Sequence, residues 1–183
     1  NILKQAVQKW QKIIGVGLKK KLGGKLRYMV SGAAPMEPAI IEGFTSLGIE
    51  FIEGYGLTET SPVIAVANFE PDGVCFGTVG KVLPGVTLGF ARDGEILCKG
   101  PNVMLGYYKH PQLTKEVIDT DGWFHTGDIG MLVQDTYLRI TDRKKEMFKT
   151  SGGKYIAPQV LEVLFKASPF IDGVMVVGEN RNF

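Results

Sequence analysis

The sequence predicts an α/β protein: a βαβ piece of a parallel sheet, then a β-rich subdomain, then the start of a small α+β domain. Three observations support this prediction. Two short apolar runs flank an amphipathic segment at about 26–60, the pattern of a βαβ unit. From about 73 to 142, short apolar runs are interrupted by glycine and proline, as in antiparallel sheets. A charged run then precedes a Gly-Gly segment and one more helical segment.

The βαβ unit is expected to consist of a strand at 27–30, a helix at 37–47 and a strand at 49–52. Gly48 provides the stop signal for that helix. Parallel strands release their loops at the same sheet edge, so the loops Ser31–Pro35 and Gly54–Thr60 should face each other. Four apolar residues are predicted to share one helix face: Ile40, Ile41, Phe44 and Leu47.

Turn and helix signals define the remaining predicted elements. Asp93-Gly94 and Gln134-Asp135-Thr136 each mark a hairpin. The charged run Asp142–Glu146 is predicted to be a linker, and Pro158 is well placed to start a helix that ends near Ala167. Val174–Val177 is predicted to be a strand. The predicted domains are therefore 1–144 and 145–183.

The ends of the chain predict a piece of a larger protein. It begins at Asn1 inside a helical pattern and stops at Phe183, just after the predicted last strand. The second predicted domain, 145–183, is too short to bury a good core alone. We therefore expect an internal fragment whose upstream and far C-terminal parts lie outside the sequence.

Composition excludes several classes of function. The 183 residues are 44% hydrophobic and 22% charged, as in globular proteins, and the net charge of +2 gives no basis for nucleic-acid or membrane binding by bulk electrostatics. Cys75 and Cys98 have neither a disulfide-framework nor a metal-ligand spacing, so a reducing cytoplasmic setting is expected. Two isolated histidines do not predict a metal site. No apolar run has the length of a membrane span.

The most informative segment is Glu53–Pro62, which follows the second predicted strand. Its glycines allow the backbone to approach a ligand, and Tyr55 offers a flat stacking face. Thr58 can donate to a phosphate oxygen, and Glu59 can ligate a hard cation. This combination suits a nucleotide with its magnesium ion. An ordinary polar turn is the alternative interpretation of this segment taken alone.

Further motifs follow in a fixed order: Gly94–Gly100, Met104–Tyr108, Gly122–Asp128, Thr141–Glu146 and Lys149–Pro158. The whole series resembles the acyl-adenylate-forming superfamily, which includes acyl-CoA synthetases, luciferases and the adenylation domains of peptide synthetases. The resemblance covers nearly the whole chain from Leu26 onward. Several separate motifs in the right order are far more specific than any one of them.

The resemblance implies a site for ATP or AMP. Tyr55 would stack on the adenine, Thr58 would donate to the α-phosphate, Glu59 would bind Mg2+, and Asp128 would accept hydrogen bonds from both ribose hydroxyls. Arg143 would reinforce the ribose and phosphate end. The alternatives are a core tyrosine, a capped turn, a turn aspartate and a linker arginine. The other residues that the resemblance assigns to nucleotide binding are Gly32, Ala33 and Ala34 on the opposite wall of the adenine site, with Glu53, Gly54 and Gly56.

The resemblance also assigns roles to the last third of the chain. Lys145 matches the hinge position, and Lys149 would contact the acyl-adenylate; the alternative for Lys145 is a solvated surface lysine. Gly152 and Gly153 lie in a loop that would line the path of the thiol. This loop is not a P-loop, because Tyr155 stands where that motif requires Ser or Thr. Trp123 and His125 are expected to be packing residues.

The implied activity is that of an ATP-dependent acyl-CoA synthetase, an acid–thiol ligase that forms an acyl-adenylate and then a thioester with coenzyme A. The segment Thr150–Pro158 looks most like the long-chain fatty acid branch, which would make a fatty acid the substrate. Peripheral membrane association and oligomeric state stay open. The family's phosphate-cradling loop and its C-terminal catalytic lysine would lie outside the sequence, so the chain alone is expected to be inactive. Two alternatives are an adenylating enzyme that loads a carrier protein and a catalytically dead nucleotide-binding module.

Overall fold

The computed structural model describes residues 2–32, 36–67, 72–144, 146–149 and 155–178. The contacts divide the chain into two compact units. The first comprises residues 1–84 with 133–138, and the second comprises 85–132 with 139–183. The mixed α/β class predicted from the sequence is confirmed, with an eight-stranded sheet as its main element.

The first unit opens with the predicted βαβ unit. Its elements are α1 (Ile2–Lys21), β1 (Tyr28–Ser31), α2 (Pro38–Ser46) and β2 (Glu50–Tyr55). Strands β1 and β2 pair in parallel, from Tyr28 opposite Glu50 to Ser31 opposite Glu53. The parallel pairing predicted from the sequence is therefore confirmed, and the two strands end at the same edge.

Helix α2 packs against β2 through part of its apolar face. Ile41 is 2% exposed, and the Phe44 ring centroid lies 6.1 Å from that of Phe51. Ile40 is 45% exposed, so the predicted apolar face is only partly buried. Gly48 ends the helix as predicted, with φ +76° and its N–H donating to the Thr45 carbonyl.

Strand β2 is longer than the sequence predicted, because a later segment of the chain pairs with its end. Strand β3 (Ala65–Val66) pairs antiparallel with Gly54 and Tyr55, and β4 (Lys81–Val82) pairs with β3. The loop after β2 therefore begins at Gly56 rather than at Glu53.

The second unit contains most of the predicted β-rich subdomain. The elements in chain order are β5 (Thr87–Phe90), β6 (Glu95–Lys99), α3 (Pro111–Val117), β7 (Phe124–Val133), β8 (Tyr137–Arg143), β9 (Phe148–Lys149), β10 (Tyr155–Ile156) and α4 (Pro158–Lys166). Hydrogen bonding runs through the large sheet in the order β1-β2-β3-β4-β8-β7-β6-β5, and β9 pairs with β10. Residues 133–138, which are the end of β7, the turn and the start of β8, belong to the first unit. The short helix α3 was not predicted.

Both predicted hairpin turns are present. Gly94, with φ +85°, closes the β5–β6 hairpin. Gln134 and Asp135 both have positive φ, 53° and 52°, between β7 and β8. Two central residues with positive φ match the right-handed twist of hairpin strands. The left-handed positions of this turn are Gln134 and Asp135, and not Thr136.

Two predicted elements were wrong at the C-terminal side. Asp142 and Arg143 belong to β8, so the predicted linker cannot begin at Asp142. The segment 174–178 forms no strand; the Val176 N–H donates instead to a carboxylate oxygen of Glu162, at 2.9 Å. Helix α4 confirms the prediction of a helix starting at Pro158. The domain boundary at 144/145 stays a prediction.

Among the described residues, no helix combines the length and apolar character needed to cross a membrane.

We expect Gly80→Ala to destabilise the first unit strongly. Gly80 has φ +86°, and a Cβ atom there would collide with the backbone of Val66 and Ala67. Gly48 is the matched control, because its φ is +76° but no atom lies within 4 Å of an added Cβ. Gly48→Ala should lower the free energy of unfolding by about 1 kcal/mol, from backbone strain alone. Gly80→Ala should lower it by a further 1–3 kcal/mol or so, the cost of overpacking.

Denaturant titration of both variants measures this difference. Equal losses in the two variants would contradict the close approach of Gly80 to the neighbouring strand.

Candidate functional site

The ends of β1 and β2 bring the starts of the first predicted loops together. Ser31 is the register partner of Glu53, and a Cβ added to Gly32 would lie 3.7 Å from the Gly54 carbonyl oxygen. The Glu53 carboxylate accepts a hydrogen bond from the Met36 N–H, which partly offsets the rise in the Glu53 pKa caused by burial. The strand ends from which the two loops start therefore lie side by side, and the contact between the loops themselves stays a prediction. Ala33 and Ala34 themselves lie outside the described residues.

The loop after β2 is tightly folded, and its turn presents the predicted phosphate and metal ligands. A Cβ on Gly56 would collide with the Pro62 carbonyl, so only glycine fits there. Residues Thr58–Thr60 form one turn of 3-10 helix. The buried Thr60 hydroxyl accepts from the Leu57 N–H at 2.9 Å and donates to the Leu57 carbonyl at 3.0 Å. Thr60, a residue the sequence did not single out, therefore closes the turn.

The same turn leaves Thr58 exposed and Glu59 half-buried. A hydroxyl beside a carboxylate supplies hard oxygen donors, and magnesium is held by one or two carboxylates together with phosphate oxygens. These residues fit a magnesium–phosphate ligand. Among the described residues, no cluster of three or more His, Cys, Asp and Glu could hold a metal by protein ligands alone.

The predicted ribose ligand lies in the second unit, near the middle of β7. The side chain of Asp128 is 14% exposed, and Arg143 Nε lies 3.8 Å from its Oδ1. The Asp128 N–H donates to Thr126 Oγ1 at 3.1 Å, and that hydroxyl donates to the Ile96 carbonyl at 2.8 Å. The structure thus brings Asp128 and Arg143 together, in an electrostatic pair whose guanidinium is 59% exposed.

A buried carboxylate that the sequence did not single out organises this region. The side chain of Glu95 is 5% exposed. Its Oε1 accepts from the Gly127 N–H at 3.0 Å, and its Oε2 lies 2.8 Å from Lys144 Nζ and 3.2 Å from His125 Nδ1. Lys144 Nζ also lies 2.8 Å from Asp93 Oδ2. His125 is therefore part of a polar network, and its prediction as a packing residue was wrong.

The charges around Glu95 determine its protonation. Burial alone would raise the pKa of Glu95, but the hydrogen bonds from Lys144, His125 and the Gly127 N–H outweigh it and hold the pKa below its ordinary value. The neighbouring carboxylates Asp93 and Glu95 raise the pKa of Lys144. The carboxylate and the ammonium are thus both stabilised in their charged forms.

Trp123 packs as predicted: a Cβ on Gly89 would lie 3.3 Å from its ring, and Lys99 Nζ lies 5.8 Å from the ring centroid. Lys149 lies in β9 opposite Tyr155, but its side chain is outside the described part of the structure. The predicted hinge residue Lys145 and the predicted loop residues Gly152 and Gly153 also lie outside the described residues.

The predicted adenine and phosphate residues Tyr55, Thr58 and Glu59 belong to the first unit, and the predicted ribose residues Asp128 and Arg143 belong to the second. Their convergence on one nucleotide therefore stays a prediction.

Comparison with known proteins gives a consistent picture of the class. The family model described as "AMP-binding enzyme" matches residues 2–108. The long-chain-fatty-acid–CoA ligase FadD15 of Mycobacterium bovis is 45% identical over 166 residues, which are 91% of this chain and 27% of that protein. Long-chain-fatty-acid–CoA ligase 1 of Cavia porcellus is 38% identical, over 93% of this chain and 26% of its own length.

Solved structures agree with these relatives. O-succinylbenzoate coenzyme A synthetase (MenE) from Bacillus subtilis, in complex with ATP and magnesium, has a TM-score of 0.73 and 28% identity over 85% of this chain and 34% of its own. ATP-bound MatB from Rhodopseudomonas palustris has a TM-score of 0.71 and 32% identity over 81% of this chain and 31% of its own.

The fold and the family model both point to one class of protein, the AMP-binding enzymes. The chain belongs to the AMP-binding enzyme family. It spans about a quarter to a third of the length of the relatives that it matches.

We expect the Glu95 network to stabilise the second unit only above acid pH. The folded-state pKa of Glu95 lies below its ordinary value of 4.5, so its contribution is fully present above pH 4.5 and is lost as the pH falls through the folded-state pKa. Glu95→Gln should therefore lower the free energy of unfolding by about 1–2 kcal/mol at pH 7, as for charge-assisted hydrogen bonds. The deficit should shrink in acid.

Urea unfolding from pH 3 to pH 7 measures this change. Glu116→Gln, at an exposed glutamate of α3, is the control and should match the wild type throughout. A Glu95→Gln deficit that is the same at both ends of the pH range would contradict the charged network.

Proposed function

We propose that this chain is part of an ATP-dependent long-chain fatty acid–CoA ligase, which forms an acyl-adenylate and then transfers the acyl group to coenzyme A. The observation that carries the proposal is the turn after β2, which sets an exposed Thr58 beside Glu59 in a chain of the AMP-binding family. The relatives named above as long-chain-fatty-acid–CoA ligases, 38% and 45% identical, support a fatty acid as the substrate.

In the proposed first step the chain binds and orients ATP. Tyr55 stacks on the adenine, and the Thr58 hydroxyl donates a hydrogen bond to an oxygen of the α-phosphate. Glu59 would ligate Mg2+, which when bound neutralises charge on the phosphate oxygens as the fatty acid carboxylate attacks phosphorus. The ATP and magnesium in the MenE structure support this assignment for the fold.

In the same step Asp128 accepts hydrogen bonds from the two ribose hydroxyls. Arg143 lies 3.8 Å from Asp128 with an exposed guanidinium, so it can bind the carboxylate and a ribose or phosphate oxygen together. The remaining nucleotide contacts are proposed for residues of the first unit: Gly32, Ala33, Ala34, Glu53, Gly54 and Gly56.

The later step uses the C-terminal part of the chain. We assign Lys149 to the acyl-adenylate, Gly152 and Gly153 to the path of the coenzyme A thiol, and Lys145 to the hinge between the two half-reactions. These assignments rest on the resemblance of the motifs Thr141–Glu146 and Lys149–Pro158 to the acyl-adenylate-forming superfamily.

Two other functions stay open to test. A carrier-protein-loading enzyme would share the adenylation step but use a protein-bound thiol, and a dead module would bind nucleotide without pyrophosphate exchange. Acceptor assays with coenzyme A and with carrier protein separate the first alternative, and pyrophosphate exchange separates the second.

We place the enzyme in the cytoplasm, because Cys75 and Cys98 are both free thiols. One relative of this chain is named a peroxisomal acyl-CoA synthetase, from Arabidopsis thaliana, so organelle targeting is a direct test of this assignment.

We expect Asp128→Ala in the full-length enzyme to weaken ATP binding by about 1.5–3 kcal/mol, the scale of hydrogen bonds to a charged group. Calorimetry with ATP measures this loss. Asp121→Ala is the control, because Asp121 is an exposed turn aspartate of the same unit, and it should bind ATP as the wild type does. Unchanged ATP affinity in Asp128→Ala would contradict the assignment of Asp128 to the ribose.

We expect Lys145→Pro in the full-length enzyme to separate the two half-reactions. Proline fixes φ near about −65° and removes an N–H, so it restricts the backbone change that a hinge needs. If the variant is held in the adenylating state, pyrophosphate exchange should survive while acyl-CoA formation falls at least about tenfold, the result of slowing a required conformational step.

Lys145→Ala keeps the backbone free and should be milder. Both half-reactions are measured for each variant. Equal losses in both steps, or no loss in either, would mean that Lys145 is only a surface lysine.

A further inference from the structure

Three hydrogen bonds in the second unit form a ring that includes the N–H and the carbonyl of Gly127, the residue before Asp128. Glu95 Oε1 accepts from the Gly127 N–H at 3.0 Å, and the Gly127 carbonyl accepts from the Lys144 N–H at 2.8 Å. Lys144 Nζ then donates to Glu95 Oε2 at 2.8 Å. The ring therefore consists of Glu95, Gly127 and Lys144, and it links strands β6, β7 and the end of β8.

The ring lies directly beside the two proposed nucleotide ligands. Asp128 follows Gly127 in the chain, and Arg143 precedes Lys144. Both ligands are thus carried on backbone whose polar groups the ring holds. Gly127 has φ +74°, a conformation that side chains rarely adopt, so the chain turns sharply at the held peptide.

The ring is built around a group that is costly to bury without partners. The side chain of Glu95 is 5% exposed, and a buried carboxylate is stable only when paired and hydrogen-bonded. Its donors come from two positions on β7 and from the residue after β8. If β7 moved, the Glu95 carboxylate would lose its donors. The backbone at Gly127 therefore has one strongly preferred position.

We propose that Glu95 is a positioning residue for the nucleotide: through the ring it sets where Asp128 and Arg143 meet the ribose. Glu95 itself touches no substrate. The inference rests on the proposed function, since the ribose role of Asp128 is part of that proposal. The ring ends one residue before the proposed hinge Lys145, so it also fixes the backbone up to the point where the small domain would begin to rotate.

Two variants of Glu95 test the ring, with one matched control. Glu95→Ala removes all the bonds of its carboxylate. Glu95→Gln keeps an oxygen that can accept from the Gly127 N–H, so it should restore much of the function. Asp93→Asn is the control: it removes the other charge beside Lys144, at 2.8 Å, but leaves the Gly127 bond intact.

The first readout is amide hydrogen exchange of the full-length enzyme without nucleotide. Exchange at the Gly127 amide should accelerate about tenfold or more in Glu95→Ala, because this N–H loses its acceptor. Exchange at the Lys144 amide should accelerate less, because its bond to the Gly127 carbonyl is kept and only the ring that holds it is opened. Exchange should be near wild-type in Glu95→Gln at Gly127 and in Asp93→Asn at both amides. Unchanged exchange in Glu95→Ala would show that the ring does not hold this turn.

The second readout is the dissociation constant for AMP in the full-length enzyme, measured by calorimetry. Glu95→Ala should raise it about fivefold to tenfold, Glu95→Gln about twofold, and Asp93→Asn not at all, on the scale of one hydrogen bond lost or weakened. In steady-state kinetics of Glu95→Ala, kcat should change less than KM for ATP.

Lys144→Met supplies the test if Glu95→Ala does not fold, because it opens the ring at a half-exposed side chain. It should raise the constant about threefold.

Asp128→Ala separates the positioning role of Glu95 from the ribose assignment of Asp128. If Asp128→Ala weakens AMP binding while Glu95→Ala and Lys144→Met leave it unchanged, the positioning role is wrong and the ribose assignment stands. If Asp128→Ala also leaves AMP binding unchanged, the proposed ribose site itself is wrong. Accelerated exchange together with a raised constant in Glu95→Ala supports the positioning role.

Discussion

The second unit depends on one buried carboxylate. Glu95 lies at the start of β6, and its oxygens are shared by the Gly127 N–H, His125 and Lys144. An unpaired carboxylate at this depth would be severely destabilising, so β6, β7 and the end of β8 must keep the arrangement that supplies its donors. The same arrangement sets Asp128 beside Arg143. Structural stability and the proposed ribose contact thus rest on the same hydrogen bonds.

The first unit depends instead on close backbone contacts. Gly56 and Gly80 each lie where a Cβ atom would collide with a neighbouring segment, and the buried Thr60 hydroxyl ties the turn after β2 to the Leu57 backbone. The contacts at Gly56 and Thr60 fix the backbone of the turn that carries Thr58 and Glu59. If this turn binds phosphate as proposed, ligands that are already in place lose little conformational freedom on binding.

The predictions that succeeded are those in which local pattern and long-range pairing agree. The parallel βαβ unit, the β-rich region and the turns at Gly94 and at Gln134-Asp135 follow from periodicity and turn chemistry, and all are present. The errors fall where a distant partner decides. Strand β2 continues through Tyr55, where β3 pairs with it, and 174–178 forms no strand; the Val176 N–H donates to a Glu162 oxygen. No local sequence signal specifies either partner.

The sequence by itself determined the class of fold, the family and the residue types available for a nucleotide, because ordered motifs and binary patterning are local properties of the chain. Only the tertiary structure revealed the role of Glu95. The pairing register of β6 with β7 shifts between Glu95 and Leu97, and the neighbouring residues Glu95 and Ile96 are both buried, so burial does not alternate there. The donors to Glu95 lie 30, 32 and 49 residues away along the chain. A contact between such distant residues is fixed by strand register, and register is a property of the folded sheet rather than of any one segment.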